Sequence, residues 1–509
     1  VLESIAKKEY PPYFAVIAAR LATNIQKEYA LHQLDTLLQS EKGDMFWMYG
    51  CAGLYYSCRS SLPEPYKKKI RECWKKFTPY RGDTENHFLM YYAALLLMSQ
   101  EWPDLTGREW FLGKSSEEIY EESKDYLTNW IDLSVKYGMM EFDSPRYMYY
   151  YITPMVLLAE YTRNDSLKTK FKMMLEYLLS DYADDYFYGN YCGAHSRVGF
   201  ESPFDSRNSE VSSYGDFYFE ENWDHLMPDV AFAAISSFTC PEMIRKIARE
   251  KSFPFESYET KRGRTVLRFA KEKNAVVVKK LFATSSYAIG SMQGGLVSPI
   301  QQQSWNLTIF DQKLDNVILG LHPFVSSDEL GMFFPEEPKW QLQRIENVKK
   351  GYSSEAKWIG GSPIEEIDQQ QNSLKVLCKN TVNNLRYQHL DFHIPKWATF
   401  DTTAETGQTL FAIRASKTGV ILHVPSNHIF KEEGESYRIR IPFVAGSASY
   451  SLECSPKEET AIALPSTPTD YLFYSPYIVS RRGSGVVTLK WKGEERSLDF
   501  MQNAILEKH

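Results

Sequence analysis

Two short segments carry groups able to move protons beside a carboxylate: Asp83-Thr84-Glu85-Asn86-His87 and Glu141-Phe142-Asp143-Ser144-Pro145-Arg146-Tyr147. An amide, an imidazole and a phenol meet the needs of β-elimination on a polymer of uronic acids, in which C5 loses a proton and C4 its oxygen. An amide or cation neutralises the neighbouring carboxylate, a base takes the proton, and an acid protonates the leaving oxygen. Asn86 suits the first task, His87 the second and Tyr147 the third, with the phenol also able to serve as base.

Helix starts would position these groups. Asp83 or Thr84 can accept a first-turn N–H as a cap, and Ser144-Pro145 offers a preferred cap followed by a residue that loses no hydrogen bond there, so Tyr147 is expected in a first turn. Both helix mouths carry partial positive charge and favour a bound carboxylate. Successive helical residues diverge by about 100°, so Asn86 and His87 serve one substrate only if it lies across the helix end. The ordinary structural use of the same residues is a cap, a bonded core histidine and a packed phenol.

Other segments can border such a groove. Glu85 and Arg146 flank the two motifs, and the glycine-rich stretch 188–197 holds Tyr191, His195 and Arg197, the last able to pair with a uronate in bidentate fashion. Trp223, within 220–225, and Trp305, after Gln301-Gln302-Gln303, can stack on sugar rings; Gln293-Gly294-Gly295 adds amide character. These types are equally common in surface loops, strands and cores. His389 and His393 share a face in either helix or strand, but with no third ligand apparent no metal is assigned to them.

The elements around these motifs change character along the chain. Apolar residues recur at three and four positions over Tyr13–Leu38, Met45–Cys58, Tyr66–Lys76, Glu85–Gln100, Glu117–Lys136, Pro145–Tyr161 and Ser166–Tyr182, which predicts stacked helical hairpins able to close into an α/α toroid or to remain open. From about Ser252, short alternating runs predict an antiparallel β-sandwich: Thr265–Phe269, Ala275–Leu281, Trp305–Phe310, Leu374–Cys378, Thr409–Ala415, Val420–Val424, Tyr437–Ile441, Ser447–Leu452 and Gly485–Trp491. Two domains are expected, 1–253 and 254–509, packed firmly because no low-complexity linker separates them.

With 509 residues, the chain can bury cores of this size without staples. A net charge of −7 argues against a nucleic-acid or anionic-membrane surface, and the basic runs Lys67-Lys68-Lys69 and Lys261-Arg262-Gly263-Arg264 read as solvated faces. The 7 cysteines include no C-x-x-C pair, which argues against a zinc ribbon. No stretch approaches the roughly 18 apolar residues of a membrane helix, and Val1-Leu2-Glu3-Ser4 lacks the pattern of an export signal. Asn164 and Asn306 fit the glycosylation sequon. With 34 Tyr and 11 Trp, the aromatic content suits sugar stacking and core filling alike.

Glu85-Asn86-His87 and the segment ending at Tyr147, in this order of helical and β halves, resemble the polysaccharide lyases of the alginate lyase, oligoalginate lyase and heparinase type. The resemblance implies an α/α toroid followed by an antiparallel β domain; the helical half is short for a complete ring, which leaves an incomplete one open. It further implies Asn86 as carboxylate neutraliser, His87 as base or proton partner and Tyr147 as acid or base. The substrate implied is an acidic polysaccharide such as alginate, glucuronan or a glycosaminoglycan, and the location secreted or periplasmic. No cofactor is expected, although a divalent metal with a structural or carboxylate-neutralising role stays open, as does the oligomeric state. The Tyr segment departs from the family by lacking an Asp-Gly-Ser start, and the residue that the family draws from its β domain is unassigned. Two rivals remain: an inverting glycoside hydrolase using two of Asp83, Glu85, Glu141 and Asp143 at roughly 6.5–9.5 Å, and a non-catalytic glycan-binding protein.

Overall fold

The computed structural model describes residues 1–508 apart from 40–42, 77–78, 110–112, 200–202, 223–225, 264–275, 294–296, 328–329, 332–337, 349, 383–384 and 458–467. The helical half contains α1 (Leu2–Lys7), α2 (Phe14–Thr23), α3 (Lys27–Gln39), α4 (Met45–Ser57), α5 (Glu64–Lys76), α6 (Glu85–Glu101), α7 (Ser116–Tyr137), α8 (Tyr149–Tyr161) and α9 (Asp165–Asp184). Short helices at Ser212–Gly215, Val230–Ile235 and Glu242–Arg249 follow. The single helix expected over Tyr13–Leu38 is two, because Asn24 and Gln26 adopt φ of 58° and 49° and break the ladder.

Helix α6 is the axis of this half and packs against α4, α7 and α8. From Glu85 to Gln100 every residue except His87 is buried. A helix apolar on nearly all sides can only sit inside a helical layer, so its one partly exposed side chain is conspicuous. The start expected at Pro145 is a looser turn: Tyr147 N–H bonds Ser144 Oγ at 2.9 Å and Met148 N–H bonds the Ser144 carbonyl at 3.0 Å, but regular helix begins at Tyr149.

Helix gives way to strand between Arg249 and Phe255. Strands β1 (Tyr186–Phe187) and β2 (Asn190–Tyr191) form a small hairpin, and β3 (Phe255–Arg262), β4 (Val276–Ala283), β5 (Tyr287–Gln293), β6 (Trp305–Ile309) and β7 (Val317–Leu321) lie side by side. They form the middle of a 13-stranded antiparallel sheet. Beyond β7 come His389–Pro395, Ser436–Pro442 and Ile429–Glu433; beyond β3 come Tyr471–Tyr474, Ile478–Arg481, Val486–Trp491, Glu494–Asp499 and Ala504–Lys508. A second sheet of 6 strands runs Thr399–Glu405, Gln408–Ala415, Thr418–Pro425, Ser447–Ser455, Ser373–Lys379, Glu365–Gln370.

One apolar core joins the helices to the sheet, since Leu472, Phe473, Ile478, Val487 and Leu489 share a cluster with Tyr177, Leu178 and Ile247. A second core lies between the two sheets, where Ile289, Trp305 and Leu307 meet Leu374, Val376 and Leu422. Two expectations fail here. Lys261 and Arg262 are not a solvated face but fully buried residues of β3, and Asn306 is buried with its amide bonded to Gly193 and Gln303, so that sequon is closed. The strand expected over 265–269 lies outside the described residues. All seven cysteines are buried and free, and no helix among the described residues is long and apolar enough to cross a membrane.

Candidate functional site

At the mouth of α6 the expected carboxylate is present, and it is the protein's own. Glu141 Oε2 accepts the backbone N–H of Asn86 at 3.2 Å and the Asn86 side-chain amide at 2.5 Å. That amide also donates to Thr84 Oγ1 at 3.0 Å, so both its protons are engaged, and Asn86 is wholly buried. Asn86 therefore does not present its amide to a substrate carboxylate as expected; it positions Glu141. Thr84 is the N-cap residue but makes no side-chain capping bond, its hydroxyl being used by Asn86. Glu85 is likewise internal. It accepts from the backbone N–H groups of Met140 and Glu141 at 2.9 Å each, from Trp130 Nε1 at 3.0 Å and from Tyr151 Oη at 3.1 Å, which removes it from substrate binding.

Glu141 passes the connection outward. Its Oε1 pairs with Arg197 at 2.7 Å, and the Arg197 guanidinium carbon lies 3.6 Å from the centre of the Tyr147 ring. Arg197 Nε donates to Gln301 Oε1 at 2.9 Å, and the Gln301 amide approaches Tyr147 Oη at 3.5 Å. The phenol thus has a cation on its face and an amide at its oxygen while its ring stays partly exposed. Backbone stitching fixes this arrangement. Ser144 Oγ bonds the Arg197 carbonyl at 2.7 Å, and Ser196 Oγ bonds the Phe142 carbonyl at 2.5 Å. On the other side, His195 and Gln303 exchange backbone bonds at 3.0 and 2.9 Å, and Val198 N–H bonds the Gln301 carbonyl at 2.8 Å. The segment 195–198 thereby ties the Tyr147 turn to the sheet half.

His87 and Tyr147 belong to one aromatic wall. The His87 ring meets Phe46 edge-on at 5.5 Å, Phe46 meets Tyr150 at 5.4 Å, and Tyr150 lies 6.4 Å from Tyr147. Gly82, at φ +72°, packs so closely on His87 that a side chain there would collide with the imidazole.

Beside this wall opens a cavity of about 910 Å³, lined by Arg146, His195, Arg207, Glu210, Gln303 and others. Tyr147 and His87 are not among its lining residues. Arg146 links the two places: it lines the cavity, and its guanidinium carbon is 5.9 Å from the Tyr147 ring centre. His195 is held by a 2.6 Å bond between Nδ1 and the Asp143 carbonyl. A carbonyl only accepts, so Nδ1 carries the proton and Nε2 is the basic nitrogen of the neutral ring. Burial, helped by the nearby Lys279 charge, pushes His195 down to about 4, which keeps the ring neutral near pH 7.

Other expected contacts are lost to the interior. Tyr191 is buried with its hydroxyl on Asp143 at 3.3 Å, and Trp305 is buried with its indole N–H on Tyr450 at 2.8 Å, so neither stacks on a ligand. His195 and Arg197 are also largely enclosed rather than surface loop residues, at 3% and 5% exposure. Trp223 lies outside the described residues. His389 and His393 share a strand but not a ligand: His393 Nδ1 bonds the Val317 carbonyl at 3.0 Å, while His389 faces Asp391 at 3.5 Å. A further hollow of about 680 Å³ on the six-stranded sheet, near Lys375 and His423, contains none of the proton-moving groups above.

Beneath the site lies an ion cluster that sequence reasoning missed. Lys261 contacts Glu259 at 2.6 Å, Asp181 at 2.9 Å and Asp143 at 3.5 Å; Lys279 contacts Asp185 at 2.7 Å, Glu259 at 3.2 Å and Asp143. Oxygens of Asp143, Asp185 and Glu259 lie within 4.8 Å of one another, a spacing able to hold a metal. The Lys279 ammonium already bonds all three carboxylates, so it does the work a cation would do there. Burial raises the Asp143 carboxyl, yet the Lys261 and Lys279 ammoniums prevail and hold it at about 2. Burial drives Asp181 and Asp185 well above the usual carboxylate range, despite the same lysines. The one sequence signal for this cluster is the spacing of Glu259 and Lys261, two apart and so on one face of β3; Lys279 joins them by pairing opposite Glu259 in β4.

No model of a known protein family matches the chain, and no curated protein matches it. The chemistry of the site therefore carries the functional reading.

Proposed function

We propose that the protein is a polysaccharide lyase that cleaves a uronic-acid-containing polymer by β-elimination, on a helical layer read as an incomplete α/α toroid. The observation that carries this reading is the partly exposed Tyr147 phenol, with Arg197 on its ring face and Gln301 at its oxygen, between the His87 wall and the His195 cavity. In the reaction the C5–H bond breaks and its proton passes to a base, the C4–O bond breaks, a C4=C5 double bond forms, and the leaving oxygen takes a proton. Tyr147 moves one of these protons. His87 or the neutral His195 moves the other, and the partly exposed Arg146 guanidinium, rather than the Asn86 amide, neutralises the substrate carboxylate.

The hydrolase reading has less support, because Asp83, Glu85, Glu141 and Asp143 are all buried rather than presented across an open groove. The glycan-binding reading predicts affinity without turnover. Incubation with alginate, glucuronan and glycosaminoglycans, followed by ultraviolet absorbance for an unsaturated uronate, separates the three: a lyase yields that product, a hydrolase a saturated reducing end, and a binding protein neither. Secretion or a periplasmic location accords with such substrates and is tested by fractionating the native cells.

A further inference from the structure

We infer that Arg146 is an exchangeable carboxylate receptor in the large cavity and that Glu210 is its built-in competitor, occupying the guanidinium until an acidic sugar displaces it. The inference deepens the proposed function, since it names the residue pair that would select a uronate over a neutral sugar. Arg146 Nε lies 3.2 Å from Glu210 Oε1, and the side chains are 34% and 25% exposed. Both line the 910 Å³ cavity. They come from facing segments, one before α8 and one before the short helix at 212–215, held together by the Val211 N–H bond to the Pro145 carbonyl at 3.0 Å.

The contrast with Arg197 is informative. The Arg197–Glu141 pair is only 6% and 1% exposed and is locked further by Asn86 and Gln301, so breaking it would strand buried charge. The Arg146–Glu210 pair reaches solvent, and such pairs contribute little to stability, so a ligand carboxylate can replace Glu210 at small cost. A guanidinium offers a planar fork that a second carboxylate can use in bidentate fashion. Around it the cavity wall provides Ser209 and Ser212, partly exposed neutral groups suited to sugar hydroxyls. Asp205 is turned to its own loop, its Oδ1 accepting from the backbone N–H of Arg207 at 3.0 Å. The chemical class of ligand is a polyhydroxylated carboxylic acid.

The test is calorimetric titration of the full chain with glucuronate, and with glucose as the uncharged control. Glucuronate should bind the wild type. It should bind Glu210→Gln about fivefold more tightly, the scale of a half-exposed ion pair, and Arg146→Gln at least about tenfold more weakly. Glucose should discriminate none of the three proteins. Equal glucuronate binding by all three, or binding by none, would overturn the inference. This readout needs no turnover. If no polymer is cleaved but glucuronate responds as stated, the lyase reading fails and the receptor stands; if polymer is cleaved with the same KM in all three proteins, the receptor alone fails.

Discussion

Arg197 lies over Tyr147, its guanidinium carbon 3.6 Å from the ring centre, and the same guanidinium is paired at 2.7 Å with Glu141. Because Glu141 also receives the Asn86 amide, the Asn-His motif and the phenol are connected through two buried charges although 61 positions separate Asn86 and Tyr147 (147 − 86).

Removing the phenol oxygen should separate chemistry from folding. Tyr147→Phe keeps the ring and its contact with Arg197 but loses proton transfer, so turnover of uronate polymer should fall by about 10²- to 10⁴-fold. Urea unfolding should stay within about 1 kcal/mol of wild type, because the hydroxyl's contact in the structure is the long 3.5 Å approach of Gln301.

Breaking the Glu141 link should act mainly on stability. Glu141→Ala leaves Arg197 buried without its carboxylate and removes an acceptor from both the backbone and the side-chain amide of Asn86, a loss of about 3–5 kcal/mol. Double-mutant cycles with Arg197→Met, read by urea unfolding, should show strong coupling between the two positions, and additivity would refute the link.

His195 sets an expectation for pH. Held at about 4, it is already neutral and basic well below the usual imidazole range. If it is the base, the acid limb of kcat/KM should fall near pH 4 rather than near the ordinary value of about 6.5. The stability effect has a definite sign. Between about 6.5 and 4 the unfolded imidazole binds a proton that the folded one refuses, so His195 makes the protein less stable as pH falls through that window. His195→Gln should remove this contribution, measurable as a shallower loss of unfolding free energy in the same range.

Lys279 should prove structural. Lys279→Met removes the ammonium shared by Asp143, Asp185 and Glu259 and should cost about 3–5 kcal/mol in chemical unfolding. The depressed Asp143 carboxyl contributes stability above its unfolded value near 3.9, and that contribution is lost as pH falls through about 2. With Lys279 gone the depression weakens, so acid unfolding should begin at a higher pH than in wild type.

The order of helices before strands was legible from hydrophobic period, because α7 and α9 carry long repeats and strand alternation is plain in runs such as Gln408–Ala415 and Thr418–Pro425. The break at Asn24 was hidden by apolar residues that continue at helical spacing on both sides. The motif of Asn86, His87 and Tyr147 was visible as residue types, but the occupant of the α6 mouth was not, because Glu141 reaches it from 55 positions away. Buried charge misled the reading most. Lys261 and Arg262 look like a solvated run by composition, and only the pairing of β3 with β4 and the carboxylates of α9 explain why they are inside. Phe46, Tyr150 and Glu210 gave no local signal, since their importance is purely spatial.

The most direct test is to incubate purified wild-type protein and Tyr147→Phe with alginate, glucuronan and glycosaminoglycans and follow ultraviolet absorbance, confirming the C4=C5 double bond by NMR. Unsaturated uronate from at least one polymer with wild type, and its near disappearance with Tyr147→Phe, is the predicted result. Saturated ends, no product from any uronate polymer, or undiminished elimination by Tyr147→Phe would contradict the account.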